Sequence, residues 1–374
     1  MILAGCSGAS EETATSAKPT PSESEIKIPP VWSLTGLPGP DDAQDQPIVV
    51  VKIENDPVVR PQTGLDRADL IFEELVEGGM TRFAVVFQSD LPDEVGPVRS
   101  VRHVDVAIAE PIADAFIFSG GAKRTMRFVG RKLPTTISVV TEGGPGMYRK
   151  SGLYAPHNLF LNMNEMLQSL AEHDTPSSGF FVRPEPSATP TTSQAPSPEV
   201  SESASGVGTA SPTTKPFSTV SKVAVKFSSF AGPNWEWNPT DKLWMRSEGK
   251  KPFKNVDGTQ FGTNNLVIVE VREIDAGYKG STGGYVPRTV LTGSGRAWVL
   301  SNGGATEVAW RKPFVNAQME LTDTSGRPFT MPTGRTWVEL LPVVTTGEYA
   351  FDGVDVPMGN PPLPANDPAE TDTP

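Results

Sequence analysis

The sequence predicts two folded bodies of different class: an α+β domain over residues 41–182 and a mainly-β domain over residues 217–352, joined by a disordered linker at 183–216. Three observations carry this prediction. Helix and strand signals alternate in the first body. Short strand candidates between Gly- and Asn-rich turns fill the second, where helical periodicity is nearly absent. Between them, the run from Arg183 to Lys215 has almost no apolar surface to bury and cannot offset the entropy of ordering itself.

The first element is a targeting signal. Leu3, Ala4 and Gly5 before Cys6 read as a lipoprotein cleavage box, in which Cys6 becomes acylated and N-terminal. Residues 1–40 are then the signal remnant and a solvated tether, since Ser7 to Pro30 is rich in Ser, Thr, Glu, Ala and Pro. A working leader needs a basic start and an apolar stretch ahead of the box, so translation is expected to begin upstream of Met1.

In the first body, Ile48 to Ile53 after Pro47 is a β-branched run suited to a buried strand. Leu70 to Val76, the Gly78-Gly79 pair and the apolar Phe83 to Phe87 read as a hairpin. Ser100 is positioned to cap a helix through Glu110, halted by Pro111. A strand at Ala115 to Phe118 runs into Ser119-Gly120-Gly121, and a second helix is expected over Asn162 to Glu172.

In the second body, strands are expected at Val223 to Phe227, Leu266 to Val271, Thr289 to Leu291, Ala297 to Leu300 and Trp337 to Leu341, making a sandwich or barrel-like domain. Five of the seven tryptophans fall between 235 and 310. Most are expected to fill core, with Trp235 and Trp237, two apart on a strand, as the first choice for an exposed pair. The Pro-rich residues 353–374 are expected to be a disordered tail.

Composition narrows the function. A net charge of −12 opposes nucleic-acid binding, which relies on a basic surface to displace counterions. One cysteine leaves no intramolecular disulfide and no thiol cluster. The three histidines, His103, His157 and His173, lack a spacing that brings two onto one metal, and no G-x-S-x-G elbow is present. No metal and no cofactor are expected. Apart from the anchor, no segment approaches the roughly 20 apolar residues that span a bilayer.

The polar groups of the first body form the candidate site. Asn55, Arg60 and Gln62 lie in a Pro-punctuated loop directly after a buried strand. Glu73, Glu77 and Arg82 surround the Gly78-Gly79 turn. Arg99 and Arg102 stand at a helix start, where backbone N–H groups favour an anion. His157 and Asn158 follow Pro156, as site residues or loop staples. For the charged members, structural ion pairing is the competing reading.

The stretches KIENDPVVRPQTGLDRADLIFEELVEGGMTRFAVVF, VGPVRSVRHVD, SGGAK and APHNLFLN closely resemble the N-terminal domain of the YerB-like bacterial lipoproteins. NNLVIVEV, GSGRAWVL and GRTWVELLP resemble that family's second domain. The resemblance implies a two-domain lipoprotein with an α+β N-terminal domain, anchored by lipid on the extracytoplasmic face of the cell membrane. It implies no settled activity.

Charge pattern and location together point to a non-enzymatic protein that binds an anionic or carbohydrate ligand, such as a cell-wall glycopolymer, or a protein partner. Two alternatives stay open. One is a cell-wall-acting enzyme using Glu73 and Glu77 as paired carboxylates. The other is a structural or assembly protein of the envelope.

Overall fold

Runs of β-branched and aromatic residues build the frame. Strands β1 (Val49–Glu54) and β2 (Leu70–Leu75) are buried along their whole length, as is β3 (Thr81–Phe87) apart from Arg82. Strands covered on both faces read as near-continuous apolar runs, which is why these three were legible. β2 and β3 pair antiparallel around Glu77–Gly79, the expected hairpin, with Gly78 and Gly79 at positive φ. β1 pairs antiparallel with β3 on one edge, and parallel with β4 (Ala115–Ile117), itself parallel to β5 (Ser138–Val140).

The structure is a computed structural model that describes residues 30–170, 178–183, 218–280, 283–343, 345 and 347–352. Cys6 and the tether before residue 30, the end of the helix expected to reach Glu172, the linker from residue 184 and the tail from residue 353 lie outside the described residues.

The second half contributes β6 (Asn265–Glu270), β7 (Gly293–Ser301), β8 (Gly304–Lys312), β9 (Glu320–Asp323) and β10 (Thr336–Leu341). β7 and β8 close through Asn302-Gly303, both at positive φ, a two-residue turn whose twist matches antiparallel strands. All ten strands belong to one 11-stranded sheet in the order β9-β8-β7-β6-β10-β2-β3-β1-β4-β5. Its centre is the parallel pair β2–β10, in which Leu70 faces Thr336 and Glu73 faces Glu339. The two halves therefore share one sheet, which no local pattern predicts.

Each face of that sheet has its own cover. Helix α1 (His103–Ala109), helix α2 (Lys123–Lys132) and Phe180 pack with Val50, Phe72, Val86 and Val338 on one face. The other face, carrying Val51, Phe83, Ile71 and Trp337, is covered by a six-stranded sheet that includes Lys222–Lys226, Pro233–Asn238, Leu243–Glu248 and Glu348–Phe351. Trp337 meets Phe83 and Trp235 edge-on at 5.0 and 5.3 Å. Such pairs add about 0.5–1.5 kcal/mol each beyond area burial.

Several expectations need correction. The N-terminal half is also largely β, with short helices on its sheet rather than an even mixture. α1 starts at His103, not after Ser100: Asp105 accepts the Arg102 N–H at 2.6 Å, so the cap belongs to Arg102 and Asp105. α2 had no expected counterpart, and α3 (Met163–Leu167) is a short helix capped by Asn162, whose side chain accepts from the Glu165 N–H at 3.1 Å. Packing begins ahead of residue 41, because Leu34 and Thr35 are buried and Arg183 donates to Leu34 O at 3.1 Å. Trp235 is buried, donating to Glu339 at 2.8 Å, and Trp237 rests on Trp244, so these two do not form an exposed pair.

Candidate functional site

Strand periodicity divides the candidate residues. Side chains alternate across a sheet, so the neighbours Glu73 and Glu74 on β2 point to opposite faces. Each anchors a buried ionic cluster.

On the face covered by the second sheet, Glu73 accepts from Arg246 at 2.6 Å, from Thr81 at 2.6 Å and from Asn55 at 3.3 Å. Arg246 also bonds Glu248 at 2.6 Å and lies 3.7 Å from Glu339. Its guanidinium sits in an aromatic box, 4.3 Å from the Trp337 ring and 4.8 Å from that of Phe253. Burial alone would lower its pKa, but Glu73, Glu248 and Glu339 outweigh it and hold the group charged. Burial, then the Glu73 charge, raises Glu339 well above the usual carboxylate range.

Arg60 and Gln62 serve this same side. Arg60 donates to Asn55 Oδ1 and O at 3.0 Å, and Gln62 donates to Glu54 O at 2.9 Å and Asn55 Oδ1 at 3.2 Å. Asn55, Arg60, Gln62 and Glu73 thus fix a loop and join the halves. They do not line an open concavity with the other arginines. The paired-carboxylate arrangement is absent too, since Glu73 is fully buried under Arg246 while Glu77 belongs to Arg102.

On the helix-covered face, Lys52 bridges Glu74 and Asp105, 2.7 Å from the latter, with all three out of water. One ammonium between two carboxylates leaves an excess of negative charge, and burial with Asp105 pushes Glu74 up to about 7 despite Lys52. Toward the rim the sign reverses. Arg82 donates to Ser100 O at 3.0 Å and Arg102 donates to the same oxygen at 3.2 Å, so their guanidiniums lie side by side. Arg99 Nε is 3.0 Å from Glu54 Oε1, and the other Glu54 oxygen is 2.9 Å from His157 Nδ1. Arg102 pairs with Glu77, whose carboxylate would be raised by burial but is held below its ordinary value by that arginine.

Arg82 stands out in this group. Among the described residues no carboxylate lies within ion-pair distance of it, and its one hydrogen bond goes to a carbonyl. Burial, then the charges of Arg102 and Arg99, push its guanidinium down to about 9. The Ser100 and Ser119 hydroxyl oxygens lie 3.4 Å apart beside it, and Gly120 at φ 129° has open space where a Cβ would stand. This rim lies at the carboxyl ends of the parallel strands β1 and β4, where open sheets carry ligands.

The structure therefore brings together Glu77, Arg82, Arg99, Arg102 and His157 and sets the other candidates apart. Asn158 turns inward, accepting from Arg149 at 2.6 Å, and acts as a loop staple. Sequence reasoning missed Glu54 and Ser100, although Glu54 lies two residues after Lys52 on one strand and so shares its face. Arg246 and Glu339 had no local signal, because their partner is supplied by the other half of the chain. Among the described residues, no group of three or more His, Cys, Asp and Glu is placed to hold a metal ion, and no helix is long and apolar enough to cross a membrane.

Comparison with known proteins adds a family. Residues 34–176 match the N-terminal domain model, and residues 223–338 the C-terminal domain model, of the protein family of unknown function DUF3048. The chain belongs to this two-domain DUF3048 family. The "Putative lipoprotein YerB" of Bacillus subtilis (strain 168) is 41% identical over 96 residues, which is 25% of this chain and 29% of that protein. The crystal structure of the YerB protein from Bacillus subtilis superposes with a TM-score of 0.64 at 20% identity, covering 87% of this chain and 100% of that one. That likeness shows a common fold. The rim residues Glu54, Arg82, Arg99 and Arg102 all lie within the DUF3048 N-terminal match, while Arg246 and Glu339 bring the C-terminal half to the other side of β2.

Proposed function

We propose that this DUF3048 protein is a lipid-anchored envelope protein, held by Cys6 on the extracytoplasmic face of the membrane, that binds an anionic ligand at the rim formed by Arg82, Arg99 and Arg102. The observation that carries the reading is Arg82: a partly buried guanidinium with no carboxylate partner among the described residues, between two further arginines. Desolvating a cation beside like charges is costly unless an anion joins it, which is the signature of a binding site rather than a structural ion pair. The homology to a protein named as a lipoprotein supports the anchor.

Two measurements test this. Titrating the full chain with dimethyl phosphate and with acetate should shift the guanidinium NMR signals of the rim saturably, more weakly at high salt. Arg82→Gln should weaken that binding at least tenfold, and Arg82→Lys should recover part of it. Saturation equal in wild type and Arg82→Gln refutes the site. Mass spectrometry of protein extracted from membranes should find acylated Cys6 as the first residue, and a free, unmodified Cys6 refutes the anchor.

A further inference from the structure

Two features of the rim restrict what its anion is. The first is charge balance. Among the groups paired at the rim itself, three guanidiniums, Arg82, Arg99 and Arg102, meet two carboxylates, Glu54 and Glu77, which leaves one positive charge in excess there, and the buried Lys52–Glu74–Asp105 cluster behind them adds no further positive charge. A monoanion cancels that excess. A dianion overshoots it and sets its second charge against Glu54 and Glu77.

The second feature is the tautomer of His157. Glu54 is 5% exposed; one of its oxygens lies 3.0 Å from Arg99 Nε in an ion pair, and the other is 2.9 Å from His157 Nδ1. An ionised carboxylate only accepts, so the proton of a neutral His157 sits on Nδ1 and the lone pair on Nε2. The ring is about one-third exposed, at 34%, and Arg99 ties its loop to the rim by donating to Pro156 O at 3.3 Å. In that neutral form the ring presents a hydrogen-bond acceptor beside a cationic site, and it calls for a ligand hydroxyl. Tyr154 lies on the same turn, its carbonyl accepting from the His157 N–H at 2.9 Å, and with 87% exposure it offers a ring to the apolar edge of a polyol or sugar.

We infer that the rim recognises a phosphodiester of a hydroxylated alcohol, a polyol or sugar phosphodiester, with the single negative charge on Arg82, Arg99 and Arg102 and an adjacent hydroxyl on Nε2 of His157. This rests on the anion-binding reading above and goes beyond it by naming charge state and substituent. The same chemistry occurs in a soluble polyol-phosphate chain and in a glycerol-type phospholipid headgroup.

The test compares three soluble probes on the full, unacylated chain at pH 8 by calorimetry: glycerophosphoglycerol, a hydroxylated diester; dimethyl phosphate, a diester without hydroxyls; and glycerol 3-phosphate, a dianionic monoester. Glycerophosphoglycerol should bind at least tenfold tighter than either of the others. His157→Phe should collapse its preference over dimethyl phosphate to under threefold, a ratio that a partly unfolded sample leaves unmoved. If dimethyl phosphate binds as well as glycerophosphoglycerol, or glycerol 3-phosphate binds better, the inference fails while the anion site stands. If no probe binds saturably, the anion site itself fails. Flotation with phosphatidylglycerol vesicles identifies the source: retention that Arg82→Gln abolishes supports the lipid headgroup, and its absence alongside tight glycerophosphoglycerol binding supports the soluble polymer.

Discussion

Replacing Arg246 by methionine isolates the charge that joins the halves of the molecule. Methionine keeps much of the side-chain volume inside the box of Trp337, Phe253, Trp235 and Phe83, so little cavity forms. What disappears is the cation shared by Glu73 and Glu339, two carboxylates opposite one another on β2 and β10 and both fully buried. Leaving buried charge uncompensated costs about 3–5 kcal/mol, and the lost stacking of the guanidinium on aromatic faces adds about 1–2 kcal/mol. A loss of about 4–7 kcal/mol is a large part of the stability of an ordinary domain, about 5–15 kcal/mol.

Urea unfolding at pH 5 and pH 8 measures it. In the variant both carboxylates lose their cation, and Glu339, already raised well above the usual carboxylate range by burial and by Glu73, is raised further. Such groups favour the fold at low pH and penalise it as pH rises through the folded values, so the deficit relative to wild type should be smaller at pH 5. Adding Glu73→Gln and Glu339→Gln should return at least half of the loss at pH 8. A cost below about 1 kcal/mol without pH dependence, or a triple variant no more stable than the single, refutes the assignment of this cluster as the joint.

Three further outcomes are expected. Glu74, pushed from 4.5 to about 7 by burial, stabilises fully below its unfolded value and loses that contribution as pH rises through 7. Glu74→Gln should therefore flatten the stability profile between those values by about 3 kcal/mol, at 1.36 kcal/mol per unit, and unchanged pH dependence in urea titrations contradicts the raised value. Trp235→Phe keeps an aromatic ring, though a smaller one, and removes the donor to Glu339, and should cost about 1–3 kcal/mol by calorimetry. Leu34→Ala should cost about 2–5 kcal/mol because Leu34 is buried with Ile48, Val50 and Phe72, and a neutral result would return residues 30–40 to the tether.

Much of the frame was legible because local chemistry and burial agree. β1, β2 and β3 are apolar runs bounded by turn residues, and Gly78-Gly79 adopts the positive φ that a hairpin between them needs. The cap of α1 was misplaced by two residues because Ser100 has the chemistry of a cap, whereas its carbonyl instead collects two arginines. Of the five rim residues, Glu77 and Arg82 were legible as charged groups beside a turn, Arg99 and Arg102 as cations at a helix start, and His157 as part of a loop. Their separation from Asn55, Arg60, Gln62 and Glu73 was not, because it depends on which face of one sheet each side chain takes.

The family, the two-part division and the strands of the first half are properties of this sequence by itself, since each rests on residues that are neighbours along the chain. Tertiary structure alone decided that β2 runs beside β10, and with it the role of Glu73. Its partner Arg246 lies 173 positions away, and no local pattern specifies which buried carboxylate a distant arginine will neutralise. On the opposite face Arg82 stands across from Glu54 and Glu74, which pair with Arg99 and Lys52 instead, so the folded sheet leaves it no carboxylate within ion-pair distance among the described residues.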